Sequence, residues 1–101
     1  MNEEQLLKSG ERINQLFSTD IKIIQNREVF SYSVDSVLLS RFPRFPKNGL
    51  IVDFCAGNGA VGLFASSRTK AKILSVEIQE RLADMAERSV RLNGLEEQMQ
   101  V

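Results

Sequence analysis

A short apolar run that ends in a carboxylate and opens at once into a glycine-rich turn leaves a chain few folds to choose from, and here it lies between Gly49 and Glu77. Leu50, Ile51 and Val52, closed by Asp53 and Phe54, have the continuous apolarity of a strand buried on both faces of a parallel sheet. Cys55, Ala56, Gly57, Asn58 and Gly59 follow. Two glycines around one residue permit a sharp turn whose main chain no Cβ screens from a ligand. Both glycines are therefore expected to serve backbone freedom and ligand approach, with Gly59→Val harming binding more than stability. Val61, Phe64 and Ala65 recur at helical spacing, which predicts a helix from about Ala60 with its free N–H groups aimed into the turn. Ile73 to Val76 reads as the next strand, and Glu77 at its carboxyl end is placed to accept hydrogen bonds from two ribose hydroxyls. The expected occupant carries a nucleoside.

Two ligand classes fit this unit. Gly57-Asn58-Gly59-Ala60-Val61-Gly62 matches G-x-G-x-x-G, and Glu77 lies 20 residues past Gly57 (77 − 57), so an NAD- or FAD-dependent oxidoreductase is one reading. Against it stands Asp53, four residues before Gly57, where a carboxylate repels a pyrophosphate. An anion at that point favours a cation. S-adenosyl-L-methionine has no phosphate and carries an ammonium and a sulfonium, so it suits Asp53 and Glu77 together better than a dinucleotide does.

The run Asp53-Phe54-Cys55-Ala56-Gly57-Asn58-Gly59 resembles the D-x-x-x-G-x-G first motif of class I S-adenosylmethionine-dependent methyltransferases. Glu11-Arg12-Ile13, Ile23-Ile24-Gln25, the segment from Phe30 to Leu39, and Val76-Glu77-Ile78-Gln79-Glu80-Arg81 are similar to the valine-tRNA adenine-N6 methyltransferases within that class. The resemblance implies a Rossmann-like α/β fold with a parallel sheet, S-adenosyl-L-methionine as cofactor, and tRNA as the substrate of the full-length enzyme. It places the methionine part of the donor on Asp53, Gly57 and Gly59 and the ribose on Glu77, with Ala56, Asn58 and Ile78 completing the cofactor-binding set. It also puts Phe30, Tyr32 and Asp35 at the mouth of the pocket. The family's Asn-Pro-Pro-aromatic motif, which holds the adenine amino group, does not occur between Met1 and Val101. Residues 1–101 are thus expected to bind the donor without transferring its methyl group, and no catalytic residue is assigned.

Length agrees with part of a domain, since a doubly wound fold takes about 150 residues or more in most enzymes and the chain has 101. Residues 1–47 read as an N-terminal cap, hairpin and helix, and residues 48–101 as the first half of the donor-binding domain. Such a half-sheet leaves apolar surface uncovered, so self-association is expected. Thirteen basic residues balance thirteen acidic ones, which gives no global attraction for nucleic acid. One cysteine forms no internal disulfide, and neither a signal peptide nor a membrane span is visible, consistent with a cytoplasmic protein. A non-catalytic nucleoside-binding module fits the same features.

Along the chain, Glu3 to Lys8 and Arg12 to Phe17 are expected to be helical. Lys22 to Gln25 and Val29 to Tyr32 read as strands about a turn at Asn26-Arg27. Ser33 can cap a helix from Val34 to Arg41, with Val34, Val37, Leu38 and Phe42 on one face and Asp35 in the first turn, either balancing the helix end or lining the pocket. Pro43 and Pro46 stop it. Arg68, Lys70 and Lys72 are expected on a solvated turn, and Arg41, Arg44 and Lys47 are the better group for phosphate contact. A strong helix is predicted from about Gln79 to Asn93, with Leu82, Met85, Ala86, Ser89 and Val90 inward, and Asp84/Arg88 and Glu87/Arg91 as outer ion pairs. Residues Leu95 to Val101 approach a third strand. Cys55 has no histidine anywhere to activate it, and the absence of histidine and of a cysteine cluster leaves a metal unsupported.

Overall fold

The computed structural model describes residues 3–16, 19–28 and 34–101. Three parallel strands, β3 (Leu50–Phe54), β4 (Lys72–Val76) and β5 (Met99–Gln100), form a sheet in the order β3-β4-β5. They are joined by α2 (Ala60–Ser66) and α3 (Glu80–Leu92). Two further strands, β1 (Arg12–Gln15) and β2 (Lys22–Gln25), pair antiparallel, and α1 (Val34–Arg41) precedes β3.

The strand–turn–helix–strand unit forms as its pattern predicts, and Gly62 shows why α2 can lie so close to the sheet. A Cβ there would stand 2.8 Å from Met99 Cε and 3.0 Å from Ser75 Oγ. The third glycine of the fingerprint is therefore a helix–sheet contact point. Leu63, Phe64 and Ala65 of α2 then join Ile73, Val90, Met99, Leu16 and Ile23 in the main core. Helix α3 buries the expected stripe of Leu82, Met85, Ala86, Ser89 and Val90. It ends in a Schellman motif: Gly94, at φ +66°, donates to the Arg91 carbonyl at 3.1 Å, and Leu95 donates to the Val90 carbonyl at 3.0 Å.

The N-terminal region departs from its sequence pattern. Arg12 to Gln15 is a strand, not a helix, and Lys22 to Gln25 pairs back onto it with Ile13 opposite Ile24. The hairpin thus closes on the preceding segment. The expected partner strand, Val29 to Tyr32, lies outside the described residues, as do Phe17, Phe30 and the Ser33 cap. Helical spacing misled because Ile13 and Leu16 also serve a short strand and its exit, and a strand docked on other elements gains more from packing than from intrinsic propensity. Strand β2 is buried on both sides, Ile23 entering the main core and Ile24 a second cluster with Leu6, Leu82 and Met85.

Its free edge meets side chains instead of a third strand. The Lys22 N–H donates to Asn93 Oδ1 at 2.8 Å, the Ile24 N–H to Ser89 Oγ at 2.9 Å, and the Ile24 carbonyl accepts from Asn58 Nδ2 at 3.1 Å. Below this seam Arg88, 5% exposed, is bound in bidentate fashion by Glu11 and also reaches Asp84 and the Leu6 carbonyl. Arg88 is therefore buried, not part of an outward pair. Its guanidinium is what pushes the Glu11 carboxyl below the usual carboxylate range.

Strand β3 is not buried on both faces. Ile51 and Asp53 point toward the helices, while Leu50, Val52 and Phe54 are exposed, Phe54 by 75%. In register beside them on β4 are Lys72, Leu74 and Val76. All the described helices pack on the opposite face or at the edges, which leaves this apolar face open. Of the expected inward stripe, Leu38 on α1 and Phe42 just past its end are exposed while Val37 packs on the core, so among the described residues the stripe is largely unpartnered. Arg68 is not merely solvated: it donates to the Ser40 carbonyl at 2.7 Å and lies 5.3 Å from the centre of the Phe45 ring, tying α1 and the linker to the end of α2. No helix among the described residues is long and apolar enough to cross a membrane.

Candidate functional site

The turn between β3 and α2 reverses through three left-handed residues, Cys55 (φ +60°), Gly57 (φ +60°) and Gly59 (φ +91°). Cys55 is the uncommon one, since a Cβ disfavours that region. The turn is stitched to the carboxyl end of β4: the Ala56 N–H donates to the Val76 carbonyl at 3.0 Å, and the Gly57 N–H to Glu77 Oε1 at 2.8 Å. The other oxygen, Glu77 Oε2, accepts the Gln79 N–H at 2.9 Å, just before α3 begins. Glu77 therefore joins the glycine turn to the start of the next helix, a role that spacing alone did not disclose. Each carboxylate oxygen keeps a further lone pair for hydroxyl donors.

Gly59 answers to the core as well as to its φ. A Cβ there would come within 3.2 Å of Ala86 Cβ and 3.4 Å of Met99 Cε, so this glycine is buried against α3. Gly59→Val therefore carries a stability cost from this packing beside any effect on binding.

Asp53, at the end of β3, has a buried Oδ2 with no hydrogen-bond partner among the described residues. Burial, followed by the nearby Glu77 charge, raises its pKa above the ordinary aspartate value. It lines a cavity of about 190 Å³ together with Asp35, Ser36 and Leu39 of α1 and with Cys55 and Ala56 of the turn. Asp35 thus faces the same space as Asp53. Ser36 and Cys55 were not singled out for this role by sequence; the signal available was only the i, i+1, i+4 spacing of Asp35, Ser36 and Leu39 on α1.

Of the remaining candidates, Ile78 is 94% exposed directly after Glu77, an apolar side chain held out at the sheet's carboxyl end. Asn58 is fully buried, and its side chain is turned toward β2, away from the cavity. Phe30 lies outside the described residues. No group of three or more histidine, cysteine, aspartate or glutamate side chains able to hold a metal occurs among the described residues.

No protein-family profile and no curated protein matches the chain. Solved structures do. Pyrococcus horikoshii TYW2 in complex with MeSAdo superposes with a TM-score of 0.73 at 20% identity, over 91% of this chain and 35% of that one. A second Pyrococcus horikoshii structure, of a protein described as a transferase, matches with the same values. The fold is Rossmann-like. The chain spans about a third of the length of these structures. The parallel α/β architecture expected from the glycine turn is the one observed.

Proposed function

We propose that this chain carries the donor-binding part of an S-adenosylmethionine-dependent methyltransferase that acts on tRNA. The observation that carries the reading is the unpartnered, half-buried Asp53 carboxylate at the end of β3, beside a glycine turn and across it from Glu77. A buried carboxylate oxygen without a donor is costly unless a ligand supplies one, and its raised pKa is the mark of a group that gains from an arriving cation. The likeness to TYW2 solved with MeSAdo supports the same class of ligand.

In this reading Asp53 and Asp35 hold the amino group of the donor, Ala56, Gly57 and Gly59 give main chain for its methionine part, Glu77 accepts from the ribose hydroxyls, and Ile78 covers the adenine. The donor supplies an electrophilic methyl on a sulfonium. The protein's share is to bind and orient, which suits a chain without histidine. Residues 48–101 would supply most of this site, and residues 1–47 its cap together with Asp35. That the acceptor is adenine N6 rests on the sequence resemblance to the valine-tRNA enzymes. A base acted on by such an enzyme has to be splayed from a loop, as unpaired RNA bases are.

Calorimetric titration with S-adenosylmethionine, S-adenosylhomocysteine and NAD tests the assignment. The first two are expected to bind and NAD to bind more weakly. Tighter binding of NAD would return the chain to the dinucleotide class.

A further inference from the structure

We infer that Asn58 is a positioning residue that makes the N-terminal hairpin part of the donor site, so that donor affinity and the docking of β2 are coupled. The inference deepens the donor-binding reading and rests on it. Asn58 stands between two glycines that both take positive φ, where the backbone has little intrinsic preference of its own. Three main-chain N–H groups hold the turn: Ala56 donates to the Val76 carbonyl, Gly59 to the Ala56 carbonyl, and Gly57 to the Glu77 carboxylate. The tip carries a fourth, and it leaves the nucleotide fold: Asn58 Nδ2 donates to the Ile24 carbonyl at 3.1 Å. The N–H of that same Ile24 is held from the other side by Ser89 Oγ at 2.9 Å. One residue of β2 is thus pinned between the glycine turn and α3.

Asn58 is a poor choice for stability alone. Its side chain is completely buried, and its Oδ1 has no partner among the described residues, so an apolar residue would bury fewer unsatisfied atoms. What the amide provides is direction. It fixes one conformation of a glycine turn that would otherwise lose freedom on binding, and a turn ordered beforehand binds more tightly. Coupling then runs both ways: a bound donor steadies β2, and loosening β2 weakens the donor.

The test uses the whole chain with S-adenosylhomocysteine as the probe, and it reads calorimetric affinity together with amide hydrogen exchange. In the wild-type chain the probe is expected to slow exchange at the Ile24 amide by at least the factor of about five that one hydrogen bond represents. Ser89→Ala, remote from the turn, is expected to weaken binding by up to about fivefold, and to have no further effect once Asn58→Ala is present. The Ile24 exchange readout needs no variant, so a variant that fails to fold leaves the test intact. Binding with unchanged exchange at Ile24, or fully additive effects of the two substitutions, would overturn the coupling while leaving the donor assignment in place. No binding by the wild-type chain would overturn both.

Discussion

Asp53 is where stability and function oppose each other most plainly. Its carboxyl is raised by burial first and by Glu77 second, so the folded chain binds a proton more readily than the unfolded one. By linkage its contribution favours the fold below the ordinary aspartate value and is lost as pH rises through the raised folded value. Asp53→Asn is therefore expected to raise the melting temperature at pH 7 by a few degrees while reducing donor affinity at least about tenfold, a buried charged hydrogen bond being worth ~1.5–3 kcal/mol. Melts at several pH values alongside calorimetry check both halves. Donor binding by the wild-type chain should also weaken as pH falls through the raised value, because a neutral carboxyl no longer holds an ammonium. At Glu77 the two oxygens already hold the Gly57 and Gln79 N–H groups, so Glu77→Ala is expected to cost stability as well as about 2–4 kcal/mol of binding. Denaturation and titration of the same variant separate the two losses.

Among the elements, the unit from β3 to α3 was legible because its signals are local: glycines at the turn, an apolar run before it, and a 3.6-residue stripe on α3 that survives with its caps at Gln79 and Asn93. In the N-terminal segment Lys22 to Gln25 and Val34 to Arg41 were legible as strand and helix, but Arg12 to Gln15 was not, because what makes it a strand is its pairing with Lys22 to Gln25 and the seam of Asn58, Ser89 and Asn93 beyond it. Those contacts join residues far apart in sequence. The same holds for Arg88, whose i,i+4 spacing to Asp84 suggested an exposed pair while Glu11 buries it. Glu11 is lowered chiefly by the Arg88 hydrogen bond and Asp84 by that of Lys8. Their contribution is present above the ordinary carboxylate values and is lost as pH falls through the lowered ones, the opposite sense to Asp53. Arg88→Ala leaves the Glu11 charge buried, so urea unfolding should show a loss of about 3–5 kcal/mol, with Glu11→Leu/Arg88→Met losing much less. An equal loss in both would assign the cost to packing.

Across the whole molecule, the candidate site was legible as a list and only partly as a geometry. Asp53, Ala56, Gly57 and Glu77 meet at one end of the sheet, and Asp35 joins Asp53 at a common cavity, whereas Asn58 turns its side chain inward and Gly59 serves the core. The face formed by Leu50, Val52, Phe54 and Val76 is exposed apolar surface of the kind that drives association. We propose that the 101-residue chain self-associates through it, and light scattering should show Val52→Lys with Phe54→Lys shifting the population toward monomer. The central claim is narrower, that a sulfonium donor or its demethylated product binds where β3 and β4 end. Amide shift mapping during titration with S-adenosylhomocysteine tests it most directly. The account predicts the largest shifts at Cys55, Gly57, Gly59, Glu77 and Ile78, needing at least about tenfold more ligand in Asp53→Asn; shifts centred elsewhere on the chain, or unaltered by that substitution, would contradict it.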